Sequence, residues 1–154
     1  MKRTPLKTVE NKIIEFIPDR YKDFDKASED IMERPLVFCG KRMTREQKYE
    51  FQDIIKITYP KGVDISKLNN EELGKIAKTK GSGDAYKYIW QNCISYIKNV
   101  IIEVNDEVKT FDKVEDEETK NLLWGSAQDF DTDLIQAISF FVSDSSFTEE
   151  ESKN

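Results

Sequence analysis

The sequence predicts a mainly α protein with a small N-terminal antiparallel β element. In this α+β reading residues 1–142 form one compact helical domain and residues 143–154 a flexible acidic tail. Three observations lead there. Apolar residues between positions 84 and 99 recur every three or four places, as on a helix with one buried stripe. Thr44 and Gln47 stand at capping-box spacing ahead of a second periodic segment. Two short apolar runs, one ending at Pro18 and one opening at Pro35, have the composition of paired strands.

Residues 9–17 (VENKIIEFI) read as a strand closed by Pro18, because the residue before a proline is pushed toward extended backbone. Residues 35–41 form the second strand, joined to the first by the polar stretch 19–34. From Thr44 a helix presents Phe51, Ile54, Ile55 and Thr58 on one face before the Tyr59-Pro60-Lys61-Gly62 turn stops it. Leu68, Leu73, Ile76 and Ala77 mark a shorter helix, opened by Asn69 or Asn70 and ended by a left-handed Gly81.

The next helix is expected over residues 84–99, capped by Asp84, with Tyr86, Ile89, Trp90, Cys93 and Ile97 facing inward. A hairpin-like loop around Asn105-Asp106-Glu107 follows it, in competition with continuation of the helix through Val104. Helices over 115–124, ended by Gly125, and over 132–142, opened by Asp131 or Thr132, complete the domain. The Ser-rich acidic residues after 142 are too polar to offset the entropy of ordering them.

At 154 residues the chain is long enough for one core, but only 38% of it is hydrophobic and 35% is charged. Residues 1–100 carry 20 Lys/Arg against 15 Asp/Glu, net +5; residues 101–154 carry 4 against 15, net −11, so the total of −6 conceals a polarised chain. Basic residues diluted by acids make a poor nucleic-acid surface, and none is expected. The chain contains no histidine, which removes His-based acid/base and nucleophilic catalysis and most zinc sites. No apolar stretch is long enough for a bilayer and no secretory h-region follows the basic start, so no membrane partner and a cytosolic location are expected. Cys39 and Cys93, far apart in apolar surroundings, read as buried thiols.

Individual motifs favour plain structural roles. Asp129, Asp131 and Asp133 imitate the start of a calcium loop, but Leu134 replaces its glycine and Phe140 its final glutamate, so helix capping is the better reading. Lys80-Gly81-Ser82-Gly83-Asp84 lacks P-loop spacing and reads as a connector, and Ser95 with Lys98 lacks every companion of an acyl-transfer site. The charge run 114–120 reads as a hydrated helix start. No catalytic, cofactor or metal residue is expected. The candidate protein interface is Tyr88 and Tyr96, aromatic and partly exposed, with Phe140, Phe147 and the terminal Glu149, Glu150 and Glu151, which follow Thr148 like the first turn of a helix.

The order of segments resembles the small tail assembly chaperones of long-tailed bacteriophages. The residues that carry the resemblance are IEFIP at 14–18, the Pro-led strand running into Lys41-Arg42-Met43-Thr44-Arg45-Glu46, the Trp90 segment with residues 94–100, the polar hairpin segment ending in Thr110-Phe111, and the closing residues 147–154. Asn105-Asp106-Glu107 departs from the Asp-Gly that relatives often carry there. The resemblance implies a non-enzymatic protein of the host cell cytoplasm that binds the tape-measure protein, or other tail proteins, during tail assembly. Self-association through the oppositely charged halves is a further expectation. The alternatives are a tail-completion or connector protein of the virion and an acidic inhibitor that mimics DNA.

Overall fold

The computed structural model describes residues 1–6, 12–127 and 129–144. It corrects the mainly α expectation. Among the described residues the chain is an α+β fold, 44% helical and 23% strand, with a four-stranded antiparallel sheet and five α-helices.

Strand β1 (Ile14–Phe16) pairs with β2 (Val37–Gly40), Phe16 opposite Phe38, as the two apolar runs predict. The polar connection between them contains two single 3-10 turns, Asp19–Tyr21 and Ile31–Glu33. Helix α1 (Arg45–Ile54) opens with the predicted capping box: the Thr44 hydroxyl accepts from the Gln47 amide, and the Gln47 side chain accepts from the Thr44 amide. It ends at Ile54 rather than running to Thr58, because residues 56–58 become β3 (Lys56–Thr58), the partner of β4 (Lys78–Lys80).

Helix α2 (Asn70–Ile76) lies between β3 and β4, capped by Asn69. Gly81 does not end α2. It sits at φ +87° immediately before α3 (Ser82–Asn92), where a Cβ would lie 2.2 Å from the Ile54 carbonyl oxygen. Asp84 is therefore in the first turn of α3 and not its cap.

The largest correction concerns residues 84–99. Helix α3 stops at Asn92, and β5 (Ile94–Val104) begins two residues later. The three-residue spacing of Ile94, Ile97 and Val100 imitates a helix, yet all three reach the core from a strand. In a regular strand Ile94 and Ile97 would face opposite sides. A bulge brings them to one side: Cys39 lies opposite Tyr96 while Gly40 lies opposite Ile94, leaving Ser95 as the extra residue. Asn99, at φ +59°, interrupts the alternation again, and its side-chain amide donates to the Pro35 carbonyl at 2.8 Å.

Strand β6 (Glu107–Val114) returns along β5, giving the sheet order β1-β2-β5-β6. The predicted polar turn at Asn105-Asp106 is real. Both residues have positive φ, +51° and +65°, and Val104 faces Glu107, the geometry of a two-residue hairpin turn with left-handed central residues.

Helix α4 (Glu117–Ser126) is capped by Asp116 and passes through Gly125; α5 (Asp131–Asp144) outlasts its expected end by two residues, so the tail expected from 143 begins inside a helix. Residues 145–154 lie outside the described residues.

Phe38, Ile94, Ile97, Val100 and Val114 form the sheet side of the core. Ile89, Trp90 and Cys93 of the α3 segment, Leu123 of α4, Phe130, and Ala137, Ile138 and Phe141 of α5 cover them. Trp90 meets Phe130 edge-on at 6.0 Å, and Phe130 stacks on Phe38 at 5.6 Å. Tyr86, expected in this core, is 41% exposed; Ala85 takes the inward position one turn before Ile89.

Candidate functional site

Residues 99–106 rise as one wall of an open groove of about 780 Å³. The second wall is the stretch between β1 and β2, through Arg20, Tyr21, Phe24, Met32 and Arg34; the third runs from Leu122 of α4 to Phe130 before α5. Leu36, Val100, Leu123 and Phe130 form a buried apolar floor. Around it Met32, Leu122, Phe24 and Ile101 are 59%, 44%, 42% and 39% exposed. Four large apolar side chains bordering one cleft are a patch that single surface residues do not make.

Polar clamps hold the walls. The Arg20 guanidinium donates to both oxygens of Asp133, at 3.0 and 2.5 Å, and to the Asp129 carbonyl at 3.1 Å, tying the first 3-10 turn to the start of α5. Its own pKa is raised above the usual arginine value by the hydrogen bond to Asp133. The Asp19 amide donates to Gln136 Oε1 at 3.0 Å on the same helix. Arg34 donates to the carbonyls of Ser28 and Glu29, at 2.6 and 3.1 Å, and to Asp112 on β6 at 3.0 Å. Glu103, Asp106 and Asp129 add carboxylates to the lining.

Outside the groove lining, Lys120 of α4 is 8% exposed, its ammonium donating to the carbonyls of Ile94 at 2.6 Å and Trp90 at 3.1 Å. It thereby satisfies a carbonyl that the end of α3 leaves without a helical partner, and lies over the Trp90 ring at 5.1 Å. Burial pulls its pKa below the usual lysine value. The charge run 114–120, expected as a hydrated helix start, thus ends in a buried lysine.

The sequence-predicted interface residues lie elsewhere. The Tyr88 hydroxyl donates to Glu50 at 2.5 Å, linking α3 to α1, and burial together with that carboxylate raises its pKa. Tyr96 lies under the Lys113 ammonium at 4.2 Å, and Phe140 stacks on Phe16 at 5.0 Å. None of the three lines the groove. Phe147, Glu149, Glu150 and Glu151 lie outside the described residues. Phe24, Met32, Ile101 and Leu122 escaped the sequence reading; the signal was there in Phe24 and Met32, large apolar residues inside an otherwise polar connection.

The weaker motifs resolve as structure. Asp133, from the calcium-like run, is 1% exposed and held by Arg20. Lys98 pairs with Glu15 at 3.0 Å, and Ser95 is the bulge residue. Cys39 and Cys93 are buried free thiols, as expected, both with raised pKa through burial, Cys93 to about 11. Among the described residues no three His, Cys, Asp or Glu side chains are placed to hold a metal ion, and no helix is long and apolar enough to cross a membrane. Comparison with protein-family models, curated proteins and solved structures finds no match for this chain.

Proposed function

We propose that this chain is a non-catalytic binding protein whose groove receives an apolar helical segment of a partner, and that it acts as a tail assembly chaperone with the tape-measure protein as its client, in the host cytoplasm. The observation that carries the binding reading is the juxtaposition of exposed Phe24, Met32, Ile101 and Leu122 around a buried apolar floor. Covering one such side chain contributes about 1–2 kcal/mol, enough for four to support a reversible complex. The walls are fixed by Arg20–Asp133 and Arg34–Asp112, so little ordering entropy opposes docking. The order of the resembling segments supplies the identity of the client, and the negative net charge suits a complex that must stay dissolved around an apolar passenger.

The test is co-expression with the cognate tape-measure protein, followed by affinity capture. The expected result is client that is soluble and co-purifies only with this chain. Met32→Asp and Leu122→Asp, at exposed positions, should abolish capture without shifting the thermal midpoint. A client that is equally soluble alone, or is captured equally by both variants, overturns the reading.

A further inference from the structure

Between α1 and α3 the chain leaves the core for residues 55–81, which carry six lysines against Asp64, Glu71 and Glu72, net +3. All six residues of β3 and β4 are exposed. Their register is regular: Lys56 faces Lys80, Ile57 faces Thr79 and Thr58 faces Lys78. Directly opposed residues share a face of a ribbon, so Lys56, Lys78 and Lys80 point to one side and Ile57 and Thr79 to the other. Opposed like charges destabilise a strand pair, and nothing local relieves this one. Asp64 lies 3.9 Å from Lys67 and Glu71 3.7 Å from Lys75, within the same excursion. Among the described residues no carboxylate lies within ion-pair distance of Lys56, Lys78 or Lys80.

The opposite charge is concentrated in the other half of the chain. Glu115, Asp116, Glu117 and Glu118 are consecutive and exposed at the start of α4. Glu115 pairs with Lys113 at 3.3 Å and Asp116 caps the helix, while Glu117 and Glu118 have no ion-pair partner among the described residues.

We propose that the lysine face of the β3–β4 ribbon docks on the acidic start of α4 in a second copy of this chain. The two surfaces differ, so the contact is heterologous: each copy offers a ribbon to one neighbour and an α4 to the other, and the assembly grows as a ring or a row rather than closing as a two-fold dimer. A second copy is favoured over nucleic acid because the lysines are three on a chain of net charge −6, whereas binding a polyphosphate requires many neutralised phosphates. This association is independent of the groove.

Light scattering on the full chain at low salt, about 20 mM, and high salt, about 0.5 M, tests it. At low salt the mass should at least double the 18.0 kDa of one chain, and at high salt return to it. A ribbon variant, Lys56→Glu with Lys78→Glu and Lys80→Glu, and an α4 variant, Glu117→Lys with Glu118→Lys, should each remain single chains at low salt. Mixed together they should associate again, since each supplies the charge the other now needs, a recovery that misfolding does not produce. Capture of the client should be unchanged in the ribbon variant. A wild type of one-chain mass at every salt overturns the proposal, as does a mixture that fails to associate. Binding of a single-stranded DNA oligonucleotide that the ribbon variant loses, with self-association unchanged, assigns the lysines to nucleic acid and overturns it too.

Discussion

Arg20 and Asp133, 113 residues apart in the chain, form a two-point ion pair in which the carboxylate is 1% exposed and the guanidinium side chain 51% exposed. The asymmetry in burial makes the two partners unequal. Arg20→Ala leaves a desolvated carboxylate with no counter-charge and should cost about 2–4 kcal/mol, whereas Asp133→Asn leaves an arginine that water still reaches and should cost about 1–2 kcal/mol. Urea unfolding of both variants checks this, and the reverse order would contradict the burial argument. Arg20→Ala should also weaken capture of an apolar client, because the pair anchors a groove wall.

Lys120 is a second test of buried polar chemistry. Lys120→Ala removes the donor from the Ile94 and Trp90 carbonyls and should cost about 2–4 kcal/mol, against a few tenths for Lys87→Ala on the exposed side of α3. Denaturant midpoints compare the two directly; equal shifts would show that the carbonyls find other partners.

Two glycine substitutions should act in opposite directions. A Cβ at Gly40 would lie 2.0 Å from the Cys93 carbonyl oxygen and 2.9 Å from the Phe141 ring, at the point where β2 crosses the bulge, so Gly40→Ala should destabilise by about 3 kcal/mol or more. Gly74, inside α2, has nothing within 4 Å of its added Cβ, and Gly74→Ala should stabilise by about 0.5–1 kcal/mol. Thermal midpoints read both signs.

Glu15 sets an acid dependence. Hydrogen bonds from Lys98 at 3.0 Å and Lys26 at 3.1 Å lower its pKa below 4.5 in the folded chain. A carboxyl whose folded pKa is depressed contributes stability that is complete above its unfolded pKa and is lost as pH falls through the folded one. The side chain is 38% exposed, so screening limits the effect to about 1 kcal/mol or less. Glu15→Gln should therefore be less stable than wild type at pH about 7, and the gap should narrow as pH falls below 4.5; a constant gap would place the effect in packing rather than charge.

Local chemistry was legible where a short stretch of chain decides the conformation. Thr44 with Gln47, and Asn69, name their helix starts because a capping bond spans three residues. Asn105-Asp106 names its turn because both residues tolerate positive φ. Residues 94–100 misled because periodicity assumes an unbroken backbone. A bulge at Ser95 and a left-handed Asn99 gave a strand the spacing of a helix, and neither carries the glycine that usually announces such a break. The groove was hidden for a related reason: Phe24, Met32, Ile101 and Leu122 lie on three separate segments, and each alone is an ordinary exposed apolar residue.

By itself the sequence determined the starts of α1 and α2, the hairpin turn, the pairing of the first two strands, the buried thiols and the division of charge between the two halves, because each depends on neighbours in the chain or on composition. Tertiary structure alone decided that β5 is a strand, that Lys120 and Asp133 are buried, that three lysines share one ribbon face and that four scattered apolar side chains border one groove. Those facts depend on contacts between residues far apart in the chain. Their balance of burial against hydrogen bonding exists only once the sheet and helices have closed around Trp90 and Phe38.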